Sequence, residues 1–114
     1  MNKFTNEEIE QILGSVCITD TNVLGQRPKA YSILINGKLF KTDKGKTIWK
    51  QKNHAMAALN NQVKYLVEGL IKTKLQTSGV NKSFVWRHPE YLSAWEDFKK
   101  EIIEKGILTI IELQ

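Results

Sequence analysis

Cysteine occurs once in the 114 residues, and histidine, proline and arginine twice each. The single Cys17 has no partner for an intrachain disulfide, so the fold rests on its core, and a cytosolic location is the natural reading. His54 and His88 have no acidic cluster near them, so no zinc-ligand pattern can be drawn, and no cofactor is expected. No apolar run approaches the roughly 18 residues that span a bilayer, and no membrane partner is expected. The opening MNKFTNEEIEQIL carries three Glu and no long apolar stretch, unlike a secretory signal. Repeats, low-complexity tracts and linkers are also missing, which leaves one domain over 1–114, large enough to bury a core.

The shortage of arginine bears most directly on function. The net charge is +5, yet only Arg27 and Arg87 are arginines. Lysine gives a diffuse basic surface, whereas arginine is the residue for bidentate phosphate recognition. The charge is also local. Lys38, Lys41, Lys44, Lys46, Lys50 and Lys52 face one acid, Asp43, so this window alone carries +5 and the rest of the chain sums to zero.

Local signals give the order of elements. Thr5 and Glu8 have capping-box spacing, Phe4 and Ile9 suit a hydrophobic staple, and Gly14 closes a short N-terminal helix. Residues 15–19 can form a strand with a buried Cys17 thiol, and Asp20 to Lys29 reads as a loop punctuated by Gly25 and Pro28. Asn36-Gly37, between the apolar runs Tyr31–Ile35 and Lys38–Lys41, predicts a type I′ hairpin, because both central residues must take positive φ. Asp43–Lys46 reads as a second turn and Thr47–Lys50 as a third strand, giving an antiparallel meander over 31–50. Apolar residues at helical spacing predict helices near 54–76, capped by Asn53, and 89–105, opened by Pro89. Residues 83–86 read as a short strand or an irregular packed segment. The run 107–113 is apolar at nearly every position, which suits a strand buried on both faces or central in the sheet. The expected fold class is α+β: a small antiparallel or mixed sheet, with the two longer helices packed on it.

No catalytic pattern survives inspection. Asp43-Lys44-Gly45-Lys46-Thr47 ends like a phosphate-binding loop, but Phe40 stands where the motif needs its first glycine, and the segment lies between strands. No G-x-S-x-G occurs. The acid pairs Glu7/Glu8 and Glu96/Asp97 fall on helix faces expected to be exposed, and His54 and His88 read as capping or packing residues. A non-enzymatic protein is the expectation.

Two segments remain as candidate surfaces. The first is the lysine-rich meander, Lys38, Lys41, Lys44, Lys46, Lys50 and Lys52, with Trp49 and His54. A basic sheet face carrying aromatics holds anions or single-stranded nucleic acid by phosphate attraction and stacking. Its bland counterpart is a solvated sheet edge, with lysines out and aromatics in. The second is Phe84, Trp86, Arg87, His88 and Tyr91. Trp, Tyr and Arg dominate interface hot spots, and the bland counterpart is that Trp86, like Trp95, anchors its segment to the sheet.

Ile35-Asn36-Gly37-Lys38, Gly45-Lys46-x-x-Trp49, His54-Ala55 and Ala58-Leu59-Asn60 together resemble a pattern of small bacteriophage accessory proteins, in which a short meander runs into a helix. The resemblance spans residues 35 to 60 and brings no catalytic residues. It implies a small protein acting in the cytoplasm of a bacterial host by binding a host protein or complex, as an inhibitor of enzymes or defence systems, or by binding nucleic acid. Sequestration of a phosphorylated small molecule is a further alternative. The apolar C-terminal strand is suited to pairing across a two-fold axis in a homo-oligomer.

Overall fold

A computed structural model of the chain describes residues 3–20 and 29–113. The expected loop at 20–29, with Gly25, Arg27 and Pro28, lies almost wholly outside the described residues. Helix α1 (Asn6–Leu13) begins as its sequence requires: Thr5 accepts from the Glu8 N–H, and Glu8 accepts from the Thr5 N–H at 2.8 Å. Its buried residues Ile9, Ile12 and Leu13 join Phe4 in the core. The chain then forms β1 (Cys17–Thr19), β2 (Ala30–Ile35), β3 (Lys38–Lys41), the long α2 (Lys52–Thr77), a 3-10 helix (Lys82–Arg87), α3 (Pro89–Leu92), α4 (Ala94–Glu104) and β4 (Leu108–Leu113). The fold is α+β, an antiparallel four-stranded sheet with helices packed on it.

The hairpin turn forms as its two residues dictate. Asn36 has φ 51° and Gly37 φ 80°, and Ile35 faces Lys38 across the two-residue loop. The meander then departs from expectation. β3 stays beside β2 for only two residue pairs before pairing with β1 through Cys17–Lys41, Ile18–Phe40 and Thr19–Leu39. A turn closed by Thr42 N–H donating to Lys46 O at 2.9 Å returns the chain. Because β1 holds the free side of β3, residues 47–50 find room only where β3 has left β2. They make one bridge there, Trp49 with Tyr31, in place of a third strand.

The sheet order β1-β3-β2-β4 puts β4 at an edge, not at the centre. Leu108 is buried, while Ile110, Ile111 and Leu113 are half-buried. Cys17 is exposed, correcting the buried thiol: β1 is a three-residue edge strand and offers that side chain no cover.

Helix α2 buries Ala55, Leu59, Val63, Val67, Ile71 and Leu75, one residue per turn along a single stripe. The stripe meets Ile33, Ile35 and Phe40 of the sheet and Phe98 and Ile102 of α4. Asn53 does not cap it. Gln51 is the N-cap, in extended conformation and with no side-chain cap bond, since the Tyr31–Trp49 bridge fixes the backbone just upstream and the helix starts at once. Both Gly79 and Gly106 have positive φ and close Schellman motifs, with Val80 N–H donating to Leu75 O at 2.9 Å and Ile107 N–H to Ile102 O at 3.0 Å. The expected helix 89–105 is divided at Ser93, whose φ −97° and ψ 6° leave the helical well.

Two of the carboxylates expected on exposed faces instead tie elements together. Glu8 pairs with Lys74 at 2.9 Å, and Asp97 with Lys3 at 2.8 Å while also accepting from Ser93 Oγ. Burial pushes both acids up, but hydrogen bonds to Thr5 and Lys74 for Glu8, and to Lys3 and Ser93 for Asp97, outweigh it and hold them below their ordinary values. The Asp97 hydrogen bond, opposed by partial burial, raises Lys3.

Candidate functional site

The basic segment keeps its charge at the surface and its aromatics inside. Lys38, Lys44, Lys46, Lys50, Lys52 and His54 are exposed, and Lys41 is half-buried. Lys38 pairs with Asp20 at 3.3 Å. Trp49 is 5% exposed and Phe40 fully buried, their rings stacked at 5.7 Å and 7°. The Trp49 bridge explains this. Directly opposed residues share a face, so Trp49 points with Tyr31, Ile33 and Ile35 toward the helices. Phe40 does share a face with Lys38, as their two-residue spacing requires, but both rings are buried and neither is available for a base to stack on. Lys46 Nζ sits 5.8 Å from the Trp49 ring and Lys52 Nζ 5.6 Å from the Tyr31 ring, so these stems cover the aromatics.

Residues 82–92 have the opposite arrangement. Asn81 opens the 3-10 helix, its Oδ1 accepting from Ser83 N–H at 3.0 Å and Ser83 Oγ at 2.9 Å. This helix corrects the strand reading of 83–86 and realises the packed-segment alternative. With three residues per turn, a single inward position leaves its two neighbours pointing outward. Val85 is the inward residue, fully buried, while Phe84 is 59% and Trp86 54% exposed. His88 ends this helix and begins the next, its Nδ1 accepting from Glu90 N–H at 3.2 Å, and Pro89 fills the first position of α3. Tyr91 then meets Trp86 edge to face at 5.3 Å, and Leu92 is 70% exposed. From α2, Lys72 Nζ lies 5.0 Å from the Trp86 ring. Burial, then the nearby Glu68 carboxylate, raises the Tyr91 hydroxyl above its ordinary value. Arg87 is exposed on the same helix.

No family model matches the chain, and neither curated proteins nor solved structures give a significant match.

Sequence reasoning grouped Phe84, Trp86, Arg87, His88 and Tyr91 by composition, and the fold keeps them on consecutive capped turns. It placed Leu92 and Ile103 on the apolar face of the 89–105 helix, whereas both are exposed, and it missed Lys72. Leu92 had a legible signal: at 100° per residue it lies about 120° from Phe98 around the helix, and Ile103 about 140°, both off the buried face. Ala94 and Glu101 take the inward places instead. Lys72 is brought to Trp86 only by packing. Tyr65, 69% exposed, lines a separate groove of about 290 Å³ between α1 and α2, with Ile12, Leu66 and Leu70. Among the described residues no cluster of His, Cys, Asp or Glu is arranged to hold a metal ion, and no helix is long and apolar enough to cross a membrane.

Proposed function

We propose that the chain is a non-enzymatic binding protein that engages a host macromolecule, a protein or protein complex, in the manner of the phage accessory proteins it resembles. The observation carrying this reading is the aromatic surface of residues 84–92: Phe84, Trp86 and Leu92 all exceed half exposure within nine residues. Large apolar side chains cost free energy when left in water. Here they stand on two short helices capped by Asn81 and His88, so little ordering remains to be done on binding. Arg87 and Lys72 rim the surface with positive charge. The setting is the bacterial cytoplasm.

The test is capture from bacterial host lysate with wild type, Trp86→Ala and Phe84→Ala as baits, each with and without nuclease. A specific protein retained by the wild type, lost from both variants and insensitive to nuclease supports the reading. Equal capture by all three baits overturns it.

A second reading, nucleic-acid binding by the basic segment, is favoured by one observation. Lys44, Lys46, Lys50 and Lys52 are exposed, and among the described residues none forms an ion pair. With Trp49 and Phe40 buried, such binding would rest on phosphate attraction alone and would weaken steeply with salt.

A further inference from the structure

The two edges of the sheet are unlike each other. β1 is a three-residue strand, and short edge strands are one of the ways proteins blunt an edge against pairing. β4 has six residues, Leu108-Thr109-Ile110-Ile111-Glu112-Leu113, with one charge, no lysine and no proline. It pairs with β2 along its whole length, and among the described residues no strand lies on its other side. The phase of the ladder follows from two observations. Asn36 N–H donates to Ile107 O at 2.8 Å, which extends the β2–β4 register by one hydrogen-bonded pair. Tyr31 exchanges both of its backbone bonds with Trp49, at 2.7 and 2.9 Å, so it cannot spend them on Glu112. Hydrogen-bonded pairs alternate along an antiparallel ladder. Thr109, Ile111 and Leu113 therefore turn their backbone groups toward β2, and Leu108, Ile110 and Glu112 turn theirs outward.

We propose that this edge is a homodimer interface, in which β4 pairs antiparallel with β4 of a second copy about a two-fold axis through Ile110. A two-fold antiparallel ladder must set one residue against its own counterpart. With Ile110 there, all three outward-facing residues fall in hydrogen-bonded pairs: Ile110 with Ile110, and Leu108 with Glu112 in both directions. That makes six N–H···O bonds and joins two four-stranded sheets into one. At one bond per 100–200 Å², six bonds correspond to about 600–1,200 Å² of interface, the range of a small, weakly associating one. Charge fits as well. Glu112 faces Leu108 of the second copy, and the two carboxylates stay about 14 Å apart along the strands. Half-buried Ile110 is covered by its own counterpart, on the face that the helices already cover. This strand thus complements itself about the two-fold.

The experiment is sedimentation equilibrium of the full chain at roughly 10–100 µM, the range in which a weak interface populates a dimer. Wild type is expected to be dimeric. Glu112→Pro removes an outward N–H that no intrachain bond uses and leaves the core untouched, so it should weaken dimerisation by about ten-fold or more with an unchanged far-UV spectrum. A second arm covers the case in which that variant misfolds. In a Cys17→Ser background, which removes the exposed thiol, Ile110→Cys places two Cα atoms about 5.5 Å apart across the axis, within disulfide reach. Mild oxidation should then yield a covalent dimer. A wild type that stays monomeric overturns the proposal, as does a folded Glu112→Pro variant that dimerises as the wild type does. So does a dimer in which Ile110→Cys fails to cross-link.

Discussion

Residues 38–54 and 82–92 are built from the same kinds of side chain: basic residues, aromatics and a histidine within a short span. They come out inverted. In the first, Phe40 and Trp49 are stacked in the core and the lysines are in water. In the second, Phe84 and Trp86 are in water and Val85 alone of the 3-10 helix is buried. The difference is geometric. A strand-like segment sends alternate residues to opposite faces, which sets Phe40 and Trp49 under the helices, while the lysines sit at strand ends, in the turn and at the helix start, where they reach water. A 3-10 turn has one inward position in three, and when a small aliphatic takes it the flanking rings have nowhere else to go. Composition identifies an aromatic–basic segment. Whether it is a surface or a wall depends on the period of the backbone that carries it.

The largest effect that tests this contrast is on stability. Trp49→Ala should cost roughly 3–5 kcal/mol, measured by urea unfolding, because it empties a stacked core position. Trp86→Ala should shift the melting temperature by only a few degrees, as expected for a half-exposed ring. Comparable losses at both positions would erase the contrast, and residues 84–92 would cease to be a credible binding surface. Next in size is affinity. Once a partner is in hand, Trp86→Ala should weaken binding by about 2 kcal/mol or more, read by calorimetry, as for an interface anchor. Lys50→Gln, in the other region, should leave the same affinity nearly unchanged.

The hairpin that starts the basic region gives a smaller, sharper test. Gly37→Val should destabilise by roughly 1 kcal/mol or more, because a β-branched residue is strained at positive φ. Smaller still is a pH effect on the contacts that hold the N-terminal segment. Glu8 and Asp97 are held below their ordinary values, so the unfolded chain binds more protons in that range. Their contribution is complete above the ordinary carboxylate values and is lost as pH falls through the lowered ones. Lys3, raised, contributes fully below its ordinary value and loses that contribution as pH rises through the raised one. Lys74→Met should flatten the acid limb of stability against pH, by less than about 1 kcal/mol for a partly exposed pair. The smallest effect is the quadruple change of Lys44, Lys46, Lys50 and Lys52 to Gln. Each substitution should alter stability by less than about 0.5 kcal/mol, while any nucleic-acid binding and its salt dependence should fall together.

The sequence by itself determined whatever is settled within a few residues. The capping box at Thr5 and Glu8, the positive-φ turn at Asn36-Gly37, the helix stops at Gly79 and Gly106 and the buried stripe of α2 all follow from local hydrogen bonding, sterics and period. The α+β class follows from their order. Only the tertiary structure decided where segments far apart in the chain compete for the same place. Thr47–Lys50 has strand chemistry, but β1 had taken the free side of β3, so it bridges β2 at one residue pair. Residues 107–113 have the composition of a central strand, yet β2 already had β3 and Trp49 on one side, and β4 was left as the outer strand on the other. Lys72 meets Trp86 because α2 packs against the 3-10 helix, a contact no local pattern encodes. An edge, an exposed ring or a cation over an aromatic is defined by which neighbours a residue is denied, and that is fixed only when the whole chain has packed.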